Sequence, residues 1–366
     1  MKVCTVIGAR PQFIKAATVS RVIQFAQNID EIIIHTGQHY DANMSDCFFD
    51  ELCIPNPHYH LNIGSGLHGK QTGQMLIEIE QVLLKEKPDW VLVYGDTNST
   101  FAGALAAAKL HIPVAHVEAG LRSFNQKMPE ELNRIVTDHL STLLFTPNSN
   151  SFHQLIKEGI AGTKIVNVGD VMYDATLFYN EYNTHRKTSL DTLQLHDRSY
   201  CLATIHRAEN TDCESRLKNI CEALIHFSQS TLIVLPLHPR TRKALQAFNL
   251  FDALNKRIKL IDPVGYLDML ALEQNANCII TDSGGVQKEA YFNKVPCITL
   301  RDETEWTELV DSGWNQICSP NTPFSLHDRM LNEATRHTLK YEKFYGNGNS
   351  AGAIVDRLLS NSIGKI

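Results

Sequence analysis

The chain has 366 residues, 43% hydrophobic and 20% charged; this is ordinary globular composition at about twice the length one core usually organises, so two domains are expected and disorder, collagen-like repeats and small disulfide-stapled folds are excluded. Lys and Arg number 34 against 40 Asp and Glu, a formal net charge of -6, and no basic cluster interrupts the mixture, so no nucleic-acid partner is expected. Apolar runs such as IIIHT, WVLVY and CLATI have the length of buried strands, far below the roughly 18 residues of a membrane span, so no membrane partner is expected either.

Residues 2–8 read as a strand that begins almost at once, without the apolar core or cleavage site of a signal peptide, and a helix follows from Pro11. Strands come next at 31–36 and 89–94, then a helix from about Ser99, and further strands at 112–117, 142–146 and 164–168. The polar stretch 181–199 lacks a strand signal. Beyond it, strands are expected at 200–205, 231–237, 257–261, 277–281 and 296–300. Such alternation specifies parallel sheets with helices on both faces. The expected fold class is therefore α/β, with two Rossmann-like parallel-sheet domains and a boundary near Gly169-Asp170. A Gly/Asn loop and an amphipathic helix close the chain. The nine cysteines show no CxxC and no zinc-finger spacing. Cys4, Cys201, Cys278 and Cys297 fall in apolar strands, where a thiol is a small core residue, and a reducing, cytoplasmic setting is expected.

In open parallel sheets ligands bind beyond the carboxyl ends of the strands, so the residues just after each strand are the candidates. They are Ala9-Arg10-Pro11, Gly37-Gln38-His39, Gly95-Asp96-Thr97 and Glu118-Ala119-Gly120-Leu121-Arg122 in the first half. In the second half they are His206-Arg207, His238-Pro239-Arg240 and Asp282-Ser283-Gly284-Gly285. Singly, each has an ordinary reading: Asp96 or Thr97 as a helix N-cap, Glu130 and Arg134 behind Pro129 as a solvated i,i+4 pair, and His39, His206 or His238 as core histidines. Acid, base or cation after strand upon strand is what points to a site.

Ser283-Gly284-Gly285 opening a helix presents free N–H groups and the positive end of the helix dipole, which suits a diphosphate, and Glu289 one turn on could accept from ribose hydroxyls. Gly8-Ala9-Arg10-Pro11 is not G-x-G-x-x-G, and neither G-x-x-x-x-G-K-[ST] nor H-E-x-x-H occurs. A nicotinamide enzyme, a Walker-type NTPase and a zinc hydrolase therefore lack their residues, and no cofactor or metal is expected.

The segments GARPQFIKAA, TGQHYDANM, VYGDTNST, HVEAGLRS, PEELNRIVTD, TIHRAEN, DSGGVQKEA and LRDETEW resemble, in order and spacing, the non-hydrolysing UDP-N-acetylglucosamine 2-epimerase family. The resemblance implies a glycosyltransferase-B-like fold with two domains facing a cleft. Residues 1–169 would carry the acid/base carboxylates, residues 170–348 would bind UDP, and residues 349–366 would return as a helix to the N-terminal domain. It also implies a homodimer acting on a UDP-2-acetamido sugar, by removal of the C2 proton and loss of UDP to give a glycal, then re-addition after the proton returns on the opposite face. By resemblance Asp96, Glu118 and Glu130 are the acid/base carboxylates, expected to titrate as a coupled set. His206 would meet the leaving diphosphate, Arg10 and Lys15 the phosphates and sugar, and Arg134 would lie beside Glu130. Ser283, Gly284, Gly285 and Glu289 would form the UDP-binding turn, with His238 a further cleft histidine.

Where members acting on UDP-N-acetylglucosamine read H-R-R-E-N and T-E-R-P-E, this chain has His206-Arg207-Ala208-Glu209-Asn210 and Thr304-Glu305-Trp306-Thr307-Glu308. After Gln38-His39, the basic residue and glutamine of the allosteric site become Tyr40-Asp41. These changes resemble the branch acting on UDP-2,3-diacetamido-2,3-dideoxy-glucuronate, a surface-polysaccharide precursor, with Arg122, Lys127 and Arg207 as candidates for a cation facing its carboxylate. UDP-N-acetylglucosamine is the alternative substrate. A retaining glycosyltransferase, a hydrolysing epimerase and a non-catalytic nucleotide-sugar sensor are the alternative functions.

Overall fold

The structure is a computed structural model that describes residues 1–38, 52, 54–186, 188–329 and 339–362. His39, Tyr40 and Asp41, together with Cys47, lie outside the described residues, as does Cys53. Contacts divide the chain into two compact units, one of Met1–Ala175 with Lys343–Ile366 and one of Thr176–Glu342.

The first unit holds a seven-stranded, all-parallel sheet in the order β3-β2-β1-β4-β5-β6-β7. Its strands are β1 (Lys2–Ile7), β2 (Asp30–His35), β3 (Tyr59–His60), β4 (Trp90–Tyr94), β5 (Val114–Val117), β6 (Leu143–Thr146) and β7 (Ile165–Asn167). All five residues of β4 are buried, as expected of a strand covered on both faces. One face packs Cys4, Val6, Val91 and Val93 against Met75, Ile79 and Leu83 of the helix His68–Glu86 and Ala102 and Ala106 of the helix Asn98–Lys109. Thr97 caps the latter in a reciprocal box with Thr100, its side chain accepting from the Thr100 N–H at 3.3 Å. The final helix, Ser350–Ser362, packs against the helix Arg10–Phe25 and is tied down by Ala351 N–H donating to Asp174 at 2.9 Å.

The second unit repeats the plan in six parallel strands ordered β10-β9-β8-β11-β12-β13. They are β8 (Tyr200–Thr204), β9 (Leu232–Pro236), β10 (Lys259–Ile261), β11 (Cys278–Thr281), β12 (Cys297–Thr299) and β13 (Asn315–Ile317). Successive side chains of β8 alternate between two cores, Cys201 and Ala203 on one face, Tyr200 and Leu202 on the other.

Every strand expected from the sequence forms, with ends shifted by a residue or two. The edge strands β3 and β13 were not anticipated, being too short and too polar to carry a periodic signal. Burial pushes the thiols of Cys4, Cys221 and Cys297 up to about 12, which leaves them unreactive core residues. Among the described residues no helix is long and apolar enough to cross a membrane, and no three His, Cys, Asp or Glu side chains gather as a metal site.

Candidate functional site

Each sheet has one point where chain order reverses, and there the loops after two adjacent strands diverge and leave a crevice. In the first unit it lies between β1 and β4, in the second between β8 and β11. Of the strand ends nominated from sequence, those following β1, β4, β8 and β11 occupy these points.

At the first, Gly8 is required by close approach, since a Cβ there would come within 2.0 Å of Thr36 Oγ1 and 2.2 Å of Ser99 Oγ. Gln12, buried in the first turn of its helix, accepts from Gly8 N–H at 2.8 Å and Ala9 N–H at 3.1 Å. It donates to the Tyr94 carbonyl at 3.0 Å and to Thr100 at 2.9 Å, stapling the two strand ends together. Arg10 is exposed at the start of this helix. Lys15, one turn further, is 8% exposed and forms an ion pair with Glu118. Glu118 follows β5 with φ +71°, a left-handed conformation that non-glycine residues rarely adopt, and its N–H bonds the Phe145 carbonyl at 3.0 Å. Gly95, at φ +63°, lies directly under this pair: a Cβ there would be 3.2 Å from Lys15 Nζ and 3.3 Å from Glu118 Oε2.

Asp96 is half-buried. Arg134 donates to its Oδ2 from Nε at 3.0 Å and from Nη2 at 2.7 Å. Arg134 lies one turn beyond Glu130 on the same helix, and the carboxylate that its Nη1 bonds, at 2.7 Å, is that of the neighbouring Glu131. Glu131 is 1% exposed and also accepts from the Ser123 and Phe124 N–H groups at 2.9 and 2.8 Å. Burial opposes its ionisation, but these donors and Arg134 outweigh it and hold the carboxyl below its usual range. Glu130, in the same first turn, is half-buried. Two adjacent glutamates behind Pro129 gave no sequence signal for which would turn inward. Arg122 is corrected as a cation for substrate: it is buried and committed to Asp138 at 2.7 Å and to Glu158 at 2.7 and 2.8 Å. Lys127 is exposed, and Arg207 is half-buried.

At the second reversal point Asp282 is fully buried and organises the loop after β8, accepting from His206 N–H, Arg207 N–H and Asn210 Nδ2 at 3.1 Å each. The His206 ring, 42% exposed, stands with its Nδ1 3.5 Å from Asp282 and its centroid 5.7 Å from that of His238. Ser283 precedes the helix Gly284–Phe292. Trp306 Nε1 donates to the Gly284 carbonyl at 3.0 Å, and a Cβ at Gly284 would lie 2.6 Å from Glu305 Oε1. Burial opposes the charge on Glu305, but Arg301 at 2.8 Å and the nearby Arg207 keep its carboxyl below the usual range. Lys288 sits 4.3 Å over the Trp306 ring. Glu289 is buried in the second turn. Sequence reasoning missed Gln12 and Glu131 altogether and nominated Asp282 only as a strand-end candidate, without its organising role. Of these only Asp282, the aspartate just after a buried strand and ahead of a Gly-Gly turn, had a visible signal.

Behind Glu289, in the helix Tyr266–Gln274, Glu273 is fully buried and neither carboxylate oxygen has a hydrogen-bond partner among the described residues. Burial first, and the neighbouring Glu289 second, raise its pKa well above 4.5. The folded state therefore retains a proton that the unfolded chain releases above pH 4.5, and this residue costs stability increasingly as pH rises through that interval. Glu273→Met is expected to raise the melting temperature at pH 8, an unsatisfied buried polar group costing about 1–3 kcal/mol, with the gain shrinking toward pH 4.5. An unchanged or lower melting temperature at pH 8, read by scanning calorimetry, would mean that Glu273 is satisfied in solution.

The comparisons extend over nearly the whole chain. The family model for UDP-N-acetylglucosamine 2-epimerase matches residues 21–359. A UDP-N-acetylglucosamine 2-epimerase homolog of Methanococcus maripaludis is 55% identical over 363 residues, 98% of this chain and 99% of that one. The UDP-2,3-diacetamido-2,3-dideoxy-D-glucuronate 2-epimerase of Pseudomonas aeruginosa is 51% identical over 366 residues, again 98% and 99%. Among solved structures, the Methanocaldococcus jannaschii UDP-GlcNAc 2-epimerase in complex with UDP-GlcNAc and UDP superposes with a TM-score of 0.86 at 49% identity, covering 98% of this chain and 100% of that one. The two parallel sheets with their helices are a glycosyltransferase-B-like fold.

Proposed function

The chain belongs to the UDP-N-acetylglucosamine 2-epimerase family and is a UDP-sugar 2-epimerase, and we propose that it inverts C2 of a UDP-2-acetamido sugar by elimination and re-addition of UDP. The observation that carries this reading is the pair of carboxylates at and beside the first reversal point, Asp96 after β4 and Glu118 after β5, each with its own cation in Arg134 and Lys15. An unactivated C2–H is a weak acid, so its removal must be coupled to a leaving group. As a carboxylate takes the C2 proton, the C–H electrons become the C1–C2 double bond and the C1–O bond breaks toward UDP. A second carboxylate returns a proton to the other face and UDP re-adds. General acid–base residues placed this way contribute roughly 10²–10⁴ in rate. Arg134 converges two donors on Oδ2 of Asp96, which leaves Oδ1 as the oxygen for proton transfer, with Glu118 or Glu130 as the opposite partner.

In the second unit, His206 and the N–H groups of the Ser283-Gly284-Gly285 turn would neutralise charge developing on the departing diphosphate. Glu289 would accept from ribose hydroxyls, with His238 beside His206. Arg10 would reach the phosphates.

For the sugar we favour a 2,3-diacetamido uronate. Ala208 and Trp306 stand where the resemblance expects arginines, and half-buried Arg207, near Glu305, is the cation of the original three best suited to the C6 carboxylate. The 51% identity to the Pseudomonas enzyme supports this choice. UDP-N-acetylglucosamine stays as the second reading because the relative at 55% is named for it.

The elimination route makes a direct expectation. Turnover in deuterated water, without added cofactor, should give a product UDP-sugar carrying deuterium at C2, followed by NMR. Retention of the original hydrogen at C2 would sink the route, and release of free sugar would point to a hydrolysing epimerase.

A further inference from the structure

His116, the third residue of β5, is fully buried and touches no candidate substrate group, yet both its ring nitrogens are engaged. Nε2 lies 2.7 Å from the Gly95 carbonyl, and Nδ1 lies 2.7 Å from Asp138 Oδ1 on the helix Pro129–Leu140. A carbonyl can only accept. Asp138 carries a cation of its own, since Arg122 lies 2.7 Å from its Oδ2 and the Gly120 N–H donates to the same oxygen at 3.1 Å, so its carboxylate is ionised without help from the ring. Two acceptors at this distance require a proton on each nitrogen. A buried cation is tolerable because its surroundings balance it: Asp138 Oδ2 also takes Arg122 at 2.7 Å and the Gly120 N–H at 3.1 Å, and Arg122 is in turn neutralised by Glu158.

What the ring holds is the floor of the site. Gly95 is the residue whose Cα underlies the Lys15–Glu118 pair and whose successor is Asp96. Gly120, held through Asp138, fixes the far side of Glu118 at φ +83°, where a Cβ would come within 2.5 Å of the Ser151 carbonyl. Asp138 sits one helical turn beyond Arg134, which clamps Asp96. The same imidazole thus ties the β4 end, the β5 end and the helix bearing Arg134 into one register.

We propose that His116 is a positioning residue that donates from both ring nitrogens, setting the geometry of the Asp96 and Glu118 carboxylates through the Gly95 carbonyl and Asp138. The proposal rests on the reading of those two carboxylates as the proton-transfer groups. Displacements of about 1 Å in such groups cost up to 10²-fold in rate, so His116→Gln should lower kcat by roughly 10- to 100-fold while the dissociation constant for UDP, measured by calorimetry, stays within about three-fold.

The decisive readout needs no variant and no substrate. In the full-length enzyme labelled with ¹⁵N-histidine at pH 8, where ordinary histidines are neutral, one ring should carry protons on both nitrogens. Absence of any doubly protonated ring at pH 8 overturns the proposal. That ring should vanish from the spectrum of His116→Gln. Should this variant not fold, Asp138→Asn, which removes the charge balancing the ring, should show the same loss of signal and of kcat; wild-type kcat in either folded variant also overturns the proposal. The functional reading fails separately, if the wild type neither epimerises a UDP-2-acetamido sugar nor exchanges its C2 hydrogen, a result that leaves the ring's protonation unaffected.

Discussion

Asp96→Asn and Glu118→Gln should each lower kcat by roughly 10²–10⁴ while UDP still binds within a few-fold of wild type. The amides keep shape and size but cannot accept the C2 proton or return one. Structural collapse is not the expected cause, since Arg134 retains Glu131 at 2.7 Å when Asp96 is neutralised. Glu118→Gln is the harsher change because Lys15, 8% exposed, loses its carboxylate partner, and a buried charge stripped of its partner costs about 3–5 kcal/mol. Circular dichroism and UDP affinity together separate that outcome from a catalytic one, because the residues proposed to read UDP, Arg10 apart, belong to the other unit. A folded Glu118→Gln enzyme with turnover within a few-fold of wild type would make Glu118 a structural partner of Lys15 and return the acid/base role to Asp96 and Glu130.

The diacetamido uronate should be epimerised with at least about 10²-fold higher kcat/KM than UDP-N-acetylglucosamine, since a site built around a polar or charged group discriminates strongly against a ligand that lacks it. Loss of arginines at 208 and 306 does not create affinity for an anion. The cation must come from elsewhere, and with Arg122 bound to Asp138 and Glu158, Arg207 is the residue to change. Arg207→Ala should erase most of the preference through KM for the uronate, leaving the slower reaction of UDP-N-acetylglucosamine within a few-fold. Rapid conversion of UDP-N-acetylglucosamine with the uronate inert would reverse the choice of sugar and leave the elimination mechanism standing.

Much of this protein is legible in its sequence. Buried runs such as Trp90–Tyr94 and Tyr200–Thr204 declare strands because a strand covered on both faces has no polar side to show. Polar residues that interrupt those runs mark the strand ends where ligands gather, so Asp96, Glu118, His206 and the Ser283 turn could be nominated by position. By itself the sequence determined the alternation of elements, the parallel sheets and the motifs that carry the family resemblance. Only the tertiary structure decided which strand ends share a reversal point, because strand order depends on pairing between residues far apart in the chain. It alone decided that Glu131 rather than Glu130 holds Arg134, since neighbouring helix residues differ by about 100° in direction and only packing chooses which faces inward. It alone turned Arg122 from a candidate cation for substrate into part of a buried network with Asp138 and His116, because a hydrogen-bond partner is a property of space and leaves no trace in spacing along the chain.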